Sequence, residues 1–131
     1  IQLAAAQVVQ QVLDGRNLNQ VLELSQRESN KQHWDAGHRA ALQDLSYGTL
    51  RYLGSLRAVL KLLLHKPLSD ERIHFLLLVS LYQLVHSKNA PHAVVDHAVR
   101  AAGVISPRVG GLVNAVLRNF LRKSTDLLAR A

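Results

Sequence analysis

The chain has 131 residues, 48% of them hydrophobic, with 16 Lys plus Arg against 9 Asp plus Glu for a formal net charge of +7. One domain of ordinary size fits that length, and so large an apolar share excludes a disordered chain. Cysteine is absent, which excludes a disulfide scaffold, a thiolate zinc site and a cysteine nucleophile in this chain and fits a reducing compartment such as the cytoplasm.

Taken in chain order, the pattern predicts helices with short connections. Leu3 to Leu13 places Ala5, Val8, Val9, Val12 and Leu13 on one side of a helix. Gly15 suits its C-terminal cap, because glycine enters the left-handed region without a side-chain clash. Leu18, Val21, Leu22 and Leu24 predict one or two further turns, and the polar stretch from Gln26 to Gly37 predicts a loop. From Arg39 to His65, leucines recur mostly every three or four residues. Gly48 and Gly54 interrupt that run, either as a break or as points of close helix contact, and a break near Gly48 is preferred. Lys66-Pro67 ends it.

Ser69 predicts an N-cap, with Asp70 and Glu71 in a first turn where the helix dipole favours negative charge. The helix from there to Ser87 is apolar on nearly all sides, which predicts the central buried element. Pro91 suits the first position of the next helix and Gly103 its end. Ser106-Pro107 repeats a start signal. The last helix is expected to bury Val109, Leu112, Val113, Val116, Leu117, Phe120 and Leu121. With no alternating strand segment or hairpin signal, the fold class is all-α with six or seven helices.

No methionine is present, even at position 1, so the expectation is either a trimmed terminus or a segment of a longer protein, and the latter is preferred. Ile1 to Gly15 lacks the basic start and cleavage site of a signal peptide. The apolar run Phe75 to Val85, interrupted by Ser80 and Gln83, is too short to span a bilayer. Charge is unevenly placed: residues 1–50 hold four basic and five acidic side chains, residues 51–131 twelve and four. The excess in the second part suggests a polyanion, most plausibly nucleic acid, although charge also serves solubility alone.

The chemistry inventory is thin. His92 and His97 miss the spacing that stacks two ligands on one helix face, and no H-E-x-x-H motif occurs, so no metal site is expected. His92 and Asp96 lie one turn apart without a serine or cysteine beside them to activate, which reads as a surface pair. Gly110-Gly111 belongs to no phosphate-binding pattern and suits close packing instead. No catalytic residue is assigned.

The better signal lies opposite the apolar face of the last helix. Asn114, Arg118 and Arg122 occupy successive turns of one stripe, extended by Lys123 and Arg108. Tyr47 and Arg51 lie one turn apart on the long helix. An aromatic beside an arginine can stack on a base while the guanidinium holds a phosphate. The alternatives are a solvated helix face for the stripe and a half-buried core tyrosine for Tyr47.

Three segments, Leu45-Ser46-Tyr47-Gly48-Thr49-Leu50-Arg51, Leu76 to Leu84 leading to Pro91-His92-Ala93-Val94-Val95, and Gly111-Leu112-Val113-Asn114-Ala115-Val116-Leu117-Arg118, together resemble the NusB-like N-terminal domain of the RsmB family. That family comprises small-subunit ribosomal RNA cytosine-5 methyltransferases. The resemblance runs over nearly the whole chain and departs from the family pattern at Ala36-Gly37-His38-Arg39, Ser80 and His97. It implies one NusB-like domain over residues 1–131, built as two packed helical subdomains. It implies an RNA-directed accessory role, for which Arg51, Arg118, Arg122 and Lys123 are the candidate backbone contacts, with Asn114 as a hydrogen-bonding neighbour. It further implies that S-adenosylmethionine and the catalytic cysteine belong to a separate C-terminal domain of the same chain. The expected partners are small-subunit ribosomal RNA and that domain, with neither membrane nor DNA. A free-standing NusB-type antitermination factor, binding leader RNA with a ribosomal protein, is the alternative, and a purely structural or dimerising helical domain is the third reading.

Overall fold

The computed structural model describes residues 1–31 and 36–130, without the side chains of residues 26 and 28–31. His33 lies outside them. The described residues form seven helices and no strand. They are α1 (Gln2–Leu13), α2 (Leu18–Lys31), α3 (Ala36–Arg51), α4 (Leu53–Leu63), α5 (Glu71–His86), α6 (Pro91–Ile105) and α7 (Gly110–Arg130).

The central element is α5, which packs on α1, α3, α4, α6 and α7. Its sequence explains its place. An apolar run on every side must be surrounded, and Leu76, Leu77, Leu78, Val79 and Leu81 are all fully buried. Each such side chain contributes about 1.5–3 kcal/mol by leaving water. The two polar residues within the run are satisfied. The Ser80 hydroxyl donates to Leu76 O at 2.8 Å, one turn back. The Gln83 amide oxygen accepts from Gln2 Nε2 at 2.7 Å, which ties α5 to the first turn of α1. One group of helices, α1–α3, and another, α4, α6 and α7, thus share a single core through α5.

Several boundaries differ from expectation for local physical reasons. The α1 stop is as expected: Gly15 has φ 100°, its N–H donates to Val12 O at 3.0 Å, and Arg16 N–H reaches Gln11 O at 3.2 Å. This paired closure is a Schellman motif. Leu13, however, is on the solvent side. The expected one or two turns after it are a 14-residue helix, α2. Asn17 Oδ1 caps its start by accepting from Gln20 N–H at 3.2 Å. Its polar second half takes up much of the expected loop and carries an exposed Glu23–Arg27 pair at 2.7 Å. Such a pair adds about 0.2–0.5 kcal/mol, while Leu18, Val21 and Leu22 anchor the first half of the helix in the core.

The long leucine run breaks at Tyr52 (φ −104°, ψ 19°) and not at Gly48, which stays helical. Tyr52 N–H still bonds Gly48 O at 3.1 Å, and Tyr52 O still accepts from Leu56 N–H at 2.9 Å, so one residue turns the chain. Asp70, not Ser69, caps α5: its Oδ1 accepts from Arg72 N–H at 2.9 Å. Pro91 opens α6 as expected, but the helix runs past Gly103 to Ile105. Gly103 does not take the positive φ that lets Gly15 close α1, so the helix continues through it. Ser106-Pro107 is a turn, and α7 begins at Gly110. In α7, Val113, Val116, Leu117 and Phe120 are buried and Val109 and Leu121 partly so, whereas Leu112 is 42% exposed. The helix continues to Arg130 beyond a non-helical residue, Lys123 (φ −117°, ψ 15°).

Candidate nucleic-acid interface

The basic row stands on the side of α7 opposite its core-facing residues. At 100° per residue, Val113, Val116, Leu117 and Phe120 cover the buried side, while Arg118 and Arg122 project from the exposed one. Arg118 Nε donates to Asn114 Oδ1 at 2.9 Å. Arginine has no acceptor, so the amide oxygen must face it, and the Asn114 NH₂ is turned away as a donor. Arg122 Nη2 is hydrogen-bonded to Asn119 Oδ1. Among the described residues neither arginine meets a carboxylate within ion-pair distance; the α7 ion pair is Arg130–Asp126 at 3.7 Å, farther along. Two uncompensated guanidiniums, each oriented by a neutral amide, are suited to phosphate oxygens.

Lys123 is exposed but sits at the α7 kink, where the backbone leaves the helical stripe. Its charge adds to the field of the row while its direction is set by the bend. Arg51 stands elsewhere. It is exposed in the last turn of α3, and α3 does not pack on α7. The structure therefore brings Asn114, Arg118 and Arg122 together on one helix and places Arg51 on another.

The aromatic partner of Arg51 is also different from the expected one. The Arg51 guanidinium lies 5.6 Å from the ring centroid of Tyr52, not over Tyr47. Tyr47 is 41% exposed, and its hydroxyl is 3.2 Å from Asn19 Oδ1 on α2, so it is not a core tyrosine. Tyr52 in turn stacks on His86, with centroids 4.0 Å apart and planes 15° from parallel. Tyr82 lies alongside, 5.4 Å from His86 and 6.3 Å from Tyr52. Its hydroxyl is 3.2 Å from Asp44 Oδ1. Burial, and then the Asp44 carboxylate, push the Tyr82 phenol above its usual range. Sequence reasoning missed Tyr52, Tyr82 and His86 because the partners come from two helices far apart in the chain.

Elsewhere, a cleft of about 930 Å³ opens between α1, α3, α5 and α6, with His38, Asp44, His97 and Arg100 on its walls. Among the described residues, no group of three His, Asp or Glu converges as metal ligands. The described residues form helices, without the strand-to-helix turn of a dinucleotide-binding fold. Among the described residues no helix is long and apolar enough to cross a membrane.

Comparison with known proteins bears on the family of the fold. The sequence model of the NusB family matches residues 1–122. Over 132 aligned positions the chain is 40% identical to the ribosomal RNA small subunit methyltransferase B of Yersinia pseudotuberculosis serotype O:1b and to that of Yersinia pestis bv. Antiqua. Those alignments cover 97% of this chain and 29% of each relative, so the chain spans less than a third of the length of the curated relatives it matches. A helical bundle matched over nearly all of its length by one family model leaves one assignment: the chain belongs to the NusB family.

Proposed function

We propose that this chain is the non-catalytic, RNA-docking domain of a ribosomal RNA cytosine-5 methyltransferase. Methyl transfer from S-adenosylmethionine belongs, in this reading, to a catalytic domain of the same protein, and the substrate is small-subunit ribosomal RNA in the cytoplasm. The observation that carries RNA docking is the Asn114–Arg118–Arg122 row, cationic, oriented by amides and clear of carboxylates. The high identity to relatives named as small-subunit ribosomal RNA methyltransferases supports the choice of RNA.

In this role α7 holds the phosphate backbone and positions the RNA, and α6, with α4 and α5, fixes α7 against the rest of the bundle. Arginine–phosphate contacts give affinity and register but not sequence choice. Arg51 supplies a second contact away from the row, and Lys123 adds charge at the bend.

Titration of the chain into a labelled small-subunit ribosomal RNA fragment tests the docking role. Binding that weakens steeply with added salt is expected, and no binding at low salt contradicts it. Immunoblotting of source cells separates this reading from a free-standing antitermination factor. A band far above the 14.5 kDa of this chain supports the methyltransferase; a band at that size supports the factor.

A further inference from the structure

The α3–α4 junction and the end of α5 bring together a stack of planar groups. Arg51, the last residue of α3, lies over the Tyr52 ring, and Tyr52 stacks on His86 in the last turn of α5. His86 is solvent-exposed, with one ring face covered by Tyr52 at 4.0 Å. What remains open is a flat imidazole surface backed by a tyrosine. The tyrosine itself is held in place: Tyr82 flanks both rings and is anchored by its hydroxyl to Asp44. Two cations are near in the chain: Arg51, over the Tyr52 ring, and exposed Lys88, two residues beyond His86.

We propose that His86 is a stacking platform for an unpaired RNA base, with Arg51 and Lys88 on the flanking phosphates. The proposal rests on the RNA-docking reading and adds to it a place for a single-stranded nucleotide. The grammar is that of single-strand recognition: an aromatic face takes the base, and cations track the backbone. Packing alone does not account for the arrangement, because a core stack would be covered and His86 is not. The α7 row has arginines without a stacked ring and fits backbone contact. The junction has both groups and fits a splayed base.

The test uses two RNA probes, a short single-stranded oligonucleotide and a blunt-ended duplex without any unpaired base. Affinities are measured by fluorescence anisotropy for the unaltered chain, His86→Ala, His86→Phe and Arg118→Ala/Arg122→Ala, with circular dichroism as the folding check. The expected result is a roughly tenfold loss of single-strand affinity for His86→Ala, near-full retention for His86→Phe, and little change for the paired probe. Equal single-strand affinity of His86→Ala and the unaltered chain overturns the platform, while a loss in the arginine variant alone leaves the docking reading standing. A loss that His86→Phe does not restore, with the fold intact, also overturns stacking, because then charge and not the ring is what matters. Failure of the unaltered chain to bind either probe overturns both readings together.

Discussion

Gly48 on α3 lies directly against the Tyr82 ring of α5: a Cβ at position 48 would overlap the Tyr82 ring carbons and hydroxyl. This close approach lets two helices meet beside the Tyr52–His86 stack and keeps Gly48 helical although glycine is a poor helix former. Gly48→Ala is therefore expected to destabilise the fold by about 1–3 kcal/mol through overpacking, despite the helix propensity it gains. Thermal unfolding checks this. A double-mutant cycle with Tyr82→Leu should show strong non-additivity, because the second change removes the ring that the new methyl meets.

The break at Tyr52 and the helicity of Gly48 show where sequence reading reaches its limit. A glycine in a leucine run has two meanings, and only the partner ring, more than thirty residues away in sequence, chooses between them. The central helix α5 was legible because an all-round apolar run has one physical outcome. The Gly15 stop was legible because its closure is local. The length of α2 was not, since its apolar anchors Leu18, Val21 and Leu22 all lie in the first half and the polar second half carries no such period. In the candidate interface, the Asn114–Arg118–Arg122 row was legible from spacing on one helix. The stack of Arg51, Tyr52 and His86 was not, because α3 and α5 have to pack before those residues meet.

Asp70 caps α5 and pairs with Arg72 at 2.7 Å. The Arg72 side-chain and backbone hydrogen bonds hold its carboxyl below the usual range. A carboxyl lowered in the folded state adds stability that is fully present above its unfolded pKa of about 4. That stability is lost as the pH falls through the lower folded value. Asp70→Ala should cost about 1 kcal/mol at neutral pH, as loss of an N-cap does. Chemical denaturation at pH 7 and pH 3 checks both parts, since the difference between variant and parent should shrink at pH 3.

His74 on α5 is half-buried and edge-on to Phe75, with centroids 5.2 Å apart. Burial, and then the charge of Arg57, depress its pKa. The folded state therefore resists protonation more than the unfolded chain does. The stabilising contribution is present above the unfolded value of about 6.5 and is lost as the pH falls through the depressed folded value. His74→Gln should flatten the stability profile between pH 7 and pH 5, read as melting temperature against pH. A profile as steep as the parent's would show that other groups set it.

The central claim is that α7 holds RNA phosphates through Arg118 and Arg122. The most direct measurement is the salt dependence of ribosomal RNA binding for the unaltered chain and for Arg118→Ala/Arg122→Ala. Each phosphate contact contributes roughly 0.7–0.9 to the slope of log affinity against log salt. The account predicts weaker binding by the double variant and a slope shallower by roughly 1.5, with an unchanged fold by circular dichroism. Two coincident lines, equal in affinity and slope at every salt concentration, would contradict it.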